Sequence, residues 1–415
     1  MSFTRQILRF LPAVLALLGL FGCAGGPTKQ NVSPTAAVRA SKAPPETALL
    51  DVGIQVFQTA KLDPDEADER GTQPKVMEAE ARYVPFHLKN TLQETGQWGA
   101  VRVVPARAEE VDVNVSGTLL ESNGETLRVE VKVVDATGRL WFDNEYVAEA
   151  TEKSYDGLDK EKDGDPYQDL YNRVANDMLA YRQQLSPKEL SAIRQVALLK
   201  FARSLAPRAF DGYLTQDGEG IFKVNRLPAD SDPMFERVKR IRAREYMFID
   251  TVNLYYGNLY HDMQRPYEEW RRSSLQEITQ KRKLERQAMW RRLLGIAAIV
   301  GGAVVGSNSN SSGSAATSSV LVIGGYEAFR SGQQFANDAK VHEAALKELG
   351  ESFQADVAPV LDEVEGKTLK LSGSVDAQYA QWRSTLRELF VKETGLPPVA
   401  VTPTPASSPE SAPQQ

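Results

Sequence analysis

Between Val111 and Tyr146 the chain reads VDVNVSGTLLESNGETLRVEVKVVDATGRLWFDNEY, the stretch that leaves it the fewest conformations. Val111, Val113 and Val115 alternate with polar residues, and Leu127, Val129, Val131 and Val133 alternate again beyond Asn123-Gly124. A period of two gives a strand one apolar face, and Asn-Gly tolerates the positive φ of a tight reversal, so the pattern predicts an antiparallel hairpin. Ala136-Thr137-Gly138 supplies a second turn, leading to a third strand around Leu140 and Phe142.

Upstream, LLDVGIQVF places Leu50, Val52, Ile54 and Val56 on one face of a strand. An acidic loop (Asp63, Asp65, Glu66, Asp68, Glu69) separates it from a helix carrying Phe86, Leu88 and Leu92, with Gly96 as its stop. Pro85, which has no N–H to donate, is expected to start or kink that helix. WGAVRVVP reads as a further strand. The order strand, helix, strand, antiparallel meander resembles the N-terminal domain of TolB and the periplasmic domain of CsgG-type secretion lipoproteins. The residues that carry this are VDVNVSGTLLE and LRVEVKVVDATGRLWFDNEY, about a quarter of the chain. The resemblance implies an α/β sandwich that makes protein contacts in the cell envelope, with no catalytic residues to carry over. An unrelated α/β sandwich would present the same order.

From Asp165 the character turns helical. Tyr167, Leu170, Tyr171, Val174 and Met178 recur at helical spacing, Ser186-Pro187-Lys188-Glu189 is a capping box, and Asp232-Pro233 opens another helix. EYMFIDTVNLYYGNLYHDMQRPYEEW is dense in aromatics. Its rings fill a core, or else Tyr255, Tyr256 and Trp270 stack on a sugar or a partner.

The N-terminus, MSFTRQILRFLPAVLALLGLFGCAGG, has Arg5 and Arg9 ahead of an apolar stretch from Phe10 to Phe21, the charge and order of a secretory signal. Leu20-Phe21-Gly22-Cys23 resembles the lipobox of bacterial lipoproteins, with Phe21 bulkier than usual, and Cys23 is the sole cysteine. That resemblance implies cleavage before Cys23 and acylation of it. Ala24 in place of an Asp implies the periplasmic face of the outer membrane. Several acyl chains anchor stably, at about 0.8 kcal/mol per buried methylene. One cysteine excludes an intrachain disulfide and any single-chain zinc site built on two or more cysteines. The Pro/Ser/Ala-rich residues that follow read as a flexible tether.

Arg265 to Arg292 carries nine basic and four acidic residues. Arg271, Arg272, Lys281, Arg282, Lys283, Arg291 and Arg292, with Trp290, suit a membrane interface, where indole straddles wet and dry and cations meet anionic headgroups. A solvated helix with scattered ion pairs is the alternative. Directly after comes LLGIAAIVGGAVVGSNSNSSGSAATSSVLVIGG, two uncharged apolar arms around a polar turn. Ala298, Gly302 and Gly306, then Gly324, Ala328 and Gly332, are spaced by four, which on a helix makes a smooth strip for close backbone approach. Leu293–Gly306 would reach about 21 Å as helix, short of the ~30 Å hydrocarbon core. The expected form is a glycine-zipper helical hairpin that dips into the bilayer or packs between protomers. A β-hairpin given to an oligomeric barrel and a hairpin buried in the helical domain are the alternatives.

The expected fold class is α+β: an N-terminal α/β sandwich with an antiparallel meander, then a mostly helical body with a glycine-rich apolar hairpin. The boundaries are a signal peptide (1–22), the lipidated cysteine and tether (23–47), the sandwich (48–152), a helical domain ending in the basic helix (165–292), the hairpin (293–332), a C-terminal helical segment (333–395) and a disordered tail (396–415). No GxSxG, HExxH, GxxxxGK[ST] or helix-opening GxGxxG is present, and His87, His261 and His342 lie far apart. The formal net charge of −6 does not suggest a nucleic-acid binder. The expected protein is a non-enzymatic outer-membrane lipoprotein without cofactor or metal, an assembly or accessory component of an envelope export or surface-structure system. Its expected partners are the membrane, other envelope proteins and further copies of itself. A glycan-binding module is the alternative, and an envelope hydrolase comes third.

Overall fold

The computed structural model describes residues 28–105, 110–155, 165–229, 231–308 and 375–395. Strands β1 (Thr28–Asn31), β2 (Val52–Gln55), β3 (Gln58–Thr59), β4 (Val101–Val104), β5 (Val113–Ser122), β6 (Thr126–Asp135) and β7 (Leu140–Glu149) form one mixed sheet. Its order is β1-β7-β6-β5-β2-β4, with β3 on β5. β2 runs parallel to both its neighbours, whereas β5, β6 and β7 are the antiparallel meander. A small hairpin, β8 (Leu214–Gln216) and β9 (Phe222–Val224), forms a second sheet, tied to the β6–β7 turn by the Phe222 N–H donating to the Thr137 carbonyl at 2.7 Å. The helices are α1 (Pro64–Arg70), α2 (Pro74–Glu94), α3 (Glu152–Tyr155), α4 (Gln168–Arg182), α5 (Pro187–Leu205), α6 (Pro207–Phe210), α7 (Pro233–Asn308) and α8 (Val375–Thr394). The class is α+β.

Alternation sets the meander. Leu127, Val129, Val131 and Val133 of β6 are at most 1% exposed, while Arg128 and Lys132 on the opposite face meet Glu145 and Asp143 of β7. At the reversal, the Asn123 side-chain carbonyl accepts the N–H groups of Glu125 and Thr126, and Gly124 takes φ +82°. β2 differs: Val52, Gly53 and Ile54 are all buried, as suits a central strand with parallel neighbours.

Helix α2 begins at Pro74, so Pro85, well inside it, does not start it as one of the two expectations had it. A proline at position i frees the carbonyl of i−4. Here that carbonyl, on Ala81, accepts the N–H of Phe57 at 2.9 Å, so the defect is filled by the end of the β2 segment. The acidic stretch read as a loop is also helical. Pro64 opens α1, and Gly71 closes it at φ +65°.

The expected tether is overturned from residue 28 onward. β1 pairs with β7, and residues beyond it are fastened to α4. The N–H of Thr35 donates to Asp169, that of Val38 to Asn176, and the side-chain amides of Asn172 and Asn176 donate to the carbonyls of Thr35 and Ala36. The N–H of Ala40 then reaches the Thr95 carbonyl at the end of α2. A segment without apolar periodicity is held by backbone groups, whose partners on α4 lie more than a hundred residues downstream.

The core does not divide near residue 152. Ile54, Leu88 and Val129 share one apolar cluster with Tyr171 and Met178 of α4 and Ile193 and Val196 of α5. The other side of α2, with Val76, Tyr83 and Phe86, packs on Phe248, Tyr256 and Met263 of α7. A third cluster joins the ends of α5 and α8 to the start of α7 through Phe201, Ile241 and Phe390. Asp232 caps α7 by accepting from the N–H groups of Met234 and Phe235. At 76 residues this helix extends about 114 Å at 1.5 Å per residue.

Candidate functional site

Helix α7 changes character along its length. As far as Ile278 one face is core: Phe248, Val252, Tyr256, Leu259, Met263, Tyr267, Trp270 and Ile278 are each at most 4% exposed. This resolves the aromatic stretch as packing, since the Tyr83 ring stacks on Tyr260 at 4.6 Å and Tyr267 stacks on Trp270 at 6.0 Å. Tyr256 and Trp270 are thus closed to a sugar, and the glycan reading loses two of its three named residues. His87 is interior too, its ring nitrogens 2.7 Å from the Tyr260 hydroxyl and 2.8 Å from Gln168. His261 and Asp262 sit on the outer surface of α7, and His342 lies outside the described residues.

Four of the predicted interfacial cations turn inward. Arg271, 1% exposed, donates to Asp165 at 2.9 Å, with its guanidinium 4.0 Å from the Tyr267 ring. Arg272 donates to the Tyr155 carbonyl and Lys281 to that of Asp68, and Arg282 pairs with Glu125. A local excess of positive charge therefore does not mark a free basic face over 271–282. These side chains are fasteners between α7, the β5–β6 reversal, α3, α1 and the approach to α4.

The buried part of this junction is charged. Glu80 accepts from Ser122 at 2.6 Å and from Tyr267 at 2.5 Å. Burial raises its pKa, against the lowering pull of those two hydroxyls and Arg271. Asp165 is held below the ordinary carboxylate range: burial opposes its charge, but Arg271, with help from His87 and the Tyr167 N–H, outweighs burial. Arg271 and Asp165 form a buried ion pair at 2.9 Å. That pair makes the cluster a structural lock, because removing either partner would leave an uncompensated buried charge at a cost of several kcal/mol.

Beyond this lock α7 presents a different surface. Thr279, Lys283, Arg286, Gln287, Trp290 and Arg291 line a groove of about 530 Å³ along one side of the helix. Trp290 is 61% exposed and Met289 51%. Neither Lys283 nor Arg286 makes an ion pair or hydrogen bond with any described residue. Arg291 is exposed. Of the predicted interface, then, Lys283, Trp290 and Arg291 lie on one surface, joined by Arg286, which spacing alone did not single out.

The helix continues without a break from this surface into the first apolar arm, as far as Asn308. Ala298, Gly302 and Gly306 therefore lie on helical backbone, at the spacing that aligns them on one side, and the first arm is not a β-strand. Gly324, Ala328 and Gly332 fall outside the described residues, as do Cys23 and the C-terminal tail. For Arg292 only the helical backbone is described. Among the described residues no helix is long and apolar enough to cross a membrane, and no group of His, Cys, Asp and Glu is placed to hold a metal ion. No family model, curated protein or solved structure matches the chain.

Proposed function

We propose that this chain is a non-enzymatic lipoprotein of a bacterial cell envelope, anchored through Cys23 at the periplasmic face of the outer membrane. Helix α7 carries the glycine-rich apolar segment to a second contact with the membrane, and the protein serves as an assembly or accessory component of an export or surface-structure system. The observation that carries this reading is the continuity of α7. One helix begins in the core, is locked by Arg271 and Asp165, and runs on into an uncharged apolar arm. An apolar segment on a rigid, rooted helix is held ready at small entropic cost, whereas one on a loop would have to be ordered on contact.

The test is flotation with liposomes of the chain from Cys23 onward, carrying Cys23→Ser so that no acyl chain contributes. It is compared with the same chain in which residues 293–325 are replaced by a short Gly/Ser linker, and mass is followed by light scattering. Flotation that depends on the apolar segment supports the reading. If both proteins stay unbound and monomeric, the segment is internal packing and the proposal fails.

A further inference from the structure

The groove on α7 carries two cations, Lys283 and Arg286, for which no described residue supplies a counter-charge. Thr279, Lys283, Arg286, Gln287, Trp290 and Arg291 are spaced by three, four or one, so they form a single stripe about 18 Å long. The positions three and four residues from Lys283 are Thr279, Gln280, Arg286 and Gln287; those around Arg286 are Arg282, Lys283, Met289 and Trp290. None is acidic, and Glu285, although next to Arg286 in sequence, falls on the opposite side of the helix from the stripe at about 3.6 residues per turn. Like charges at these spacings destabilise a helix by a few tenths of a kcal/mol per pair. The cations just upstream are all spent on internal partners.

We propose that this groove binds the phosphate of an anionic membrane lipid, with Lys283 and Arg286 as the principal ligands, Arg291 beside them and Trp290 at the boundary of water and hydrocarbon. What distinguishes a lipid from any other anion is the rest of the helix. Within a turn of Arg291 the sequence becomes uncharged and apolar, through LLGIAAIVGGAVVG. An anion that carries its own hydrocarbon satisfies the stripe and the arm at once. Nucleic acid or an acidic peptide would leave the arm and the Trp290 face in water. Guanidinium and ammonium both suit phosphate, the former as a two-pronged donor and the latter as a point charge. The inference rests on the membrane contact proposed above and adds the headgroup it selects.

The experiment uses the chain from Cys23 onward with Cys23→Ser, mixed with vesicles of phosphatidylcholine alone or with a third of phosphatidylglycerol, each containing brominated acyl chains. Trp98, Trp141 and Trp270 are buried and Trp382 half-buried, so bromine quenching reports chiefly on the exposed Trp290. Quenching is expected to be much stronger on the anionic vesicles. The K283Q/R286Q chain should partition onto them roughly thirty-fold more weakly, the equivalent of ~1 kcal/mol for each cation near an anionic surface. The charge-preserving K283R/R286K chain should retain binding, and an unchanged thermal midpoint shows that both variants fold. Equal quenching on the two vesicle types, or no effect of K283Q/R286Q, overturns the headgroup site while leaving the apolar contact standing. Inorganic phosphate that displaces the protein at equimolar lipid phosphate overturns the assignment to lipid. Absence of quenching on every vesicle overturns both proposals.

Discussion

At the scale of single residues, the protein's least replaceable positions are those where distant segments meet. The carbonyl of Gly124, at the tip of the β5–β6 reversal, accepts from the Tyr155 hydroxyl, and a Cβ on Gly124 would stand 2.4 Å from the carbonyl oxygen of Arg271. Its φ of +82° adds to the strain for any other residue. Gly124→Ala should therefore destabilise by about 2–4 kcal/mol in denaturant titration, whereas Gly218→Ala, with open space around its Cβ, should change little. Asp112 makes a pH-dependent prediction. It accepts from the Asp51 N–H at 2.9 Å, and burial pushes its pKa up to about 6 from the ordinary 3.8. Folding thus favours the protonated form: Asp112 supports the fold at acid pH, and that support is lost as pH rises through about 6. Asp112→Asn keeps an acceptor for Asp51 but cannot ionise. Relative to the parent at pH 4, the variant should gain roughly 2–3 kcal/mol by pH 7, and parallel stability curves for the two proteins would refute this. Asn-Gly as a turn was legible in the sequence, because turn chemistry is local. The inward direction of Arg271 was not, because Asp165 lies 106 positions away and burial is set by what packs on the helix.

Among the elements, legibility follows the same division between local and remote causes. The capping box at the head of α5 is present as read: Ser186 accepts from the Glu189 N–H, and Glu189 accepts from the Ser186 N–H. Hydrogen bonds from Ser186 and Arg139 hold the Glu189 carboxyl down to about 2. The strands of the meander were legible because burial on one face imposes a period of two. Residues 28–48 were not, since polar backbone groups rather than side chains fasten them. Their dependence on two amides is measurable. Asn172→Ala combined with Asn176→Ala removes the three hydrogen bonds that these side chains make with Thr35, Ala36 and Val38. The loss should be about 2–3 kcal/mol in total at ~1 kcal/mol per bond. Amide exchange at Val38 should accelerate in the double variant while β6 stays protected. A true tether would exchange freely in the parent protein as well.

For the whole molecule, α7 has two mechanical roles that a single substitution can separate. Up to Ile278 it is a wall of the core, where Ser274 is fully buried and Leu275 is 3% exposed. Beyond Lys281 and Arg282, which donate to Asp68 and pair with Glu125, the surface is cationic and aromatic instead, with Lys283, Arg286 and Trp290 along it. A proline inside a helix costs about 3 kcal/mol or more where the helix is bound into a fold, and kinks it where it is not. Ser274→Pro should therefore lower the unfolding midpoint of the entire protein, since it breaks the turn that carries Arg271 and meets Gly124. Gln287→Pro should leave that midpoint nearly unchanged yet redirect the apolar arm relative to the lock, and flotation that depends on residues 293–325 should fall with it. The continuity of the helix, rather than the greasiness of its end, would then be what delivers the contact. If Gln287→Pro unfolds the core as Ser274→Pro does, the distal helix is part of the fold's own packing. If it leaves flotation untouched, the apolar arm acts as an independent anchor and the length of α7 has another purpose.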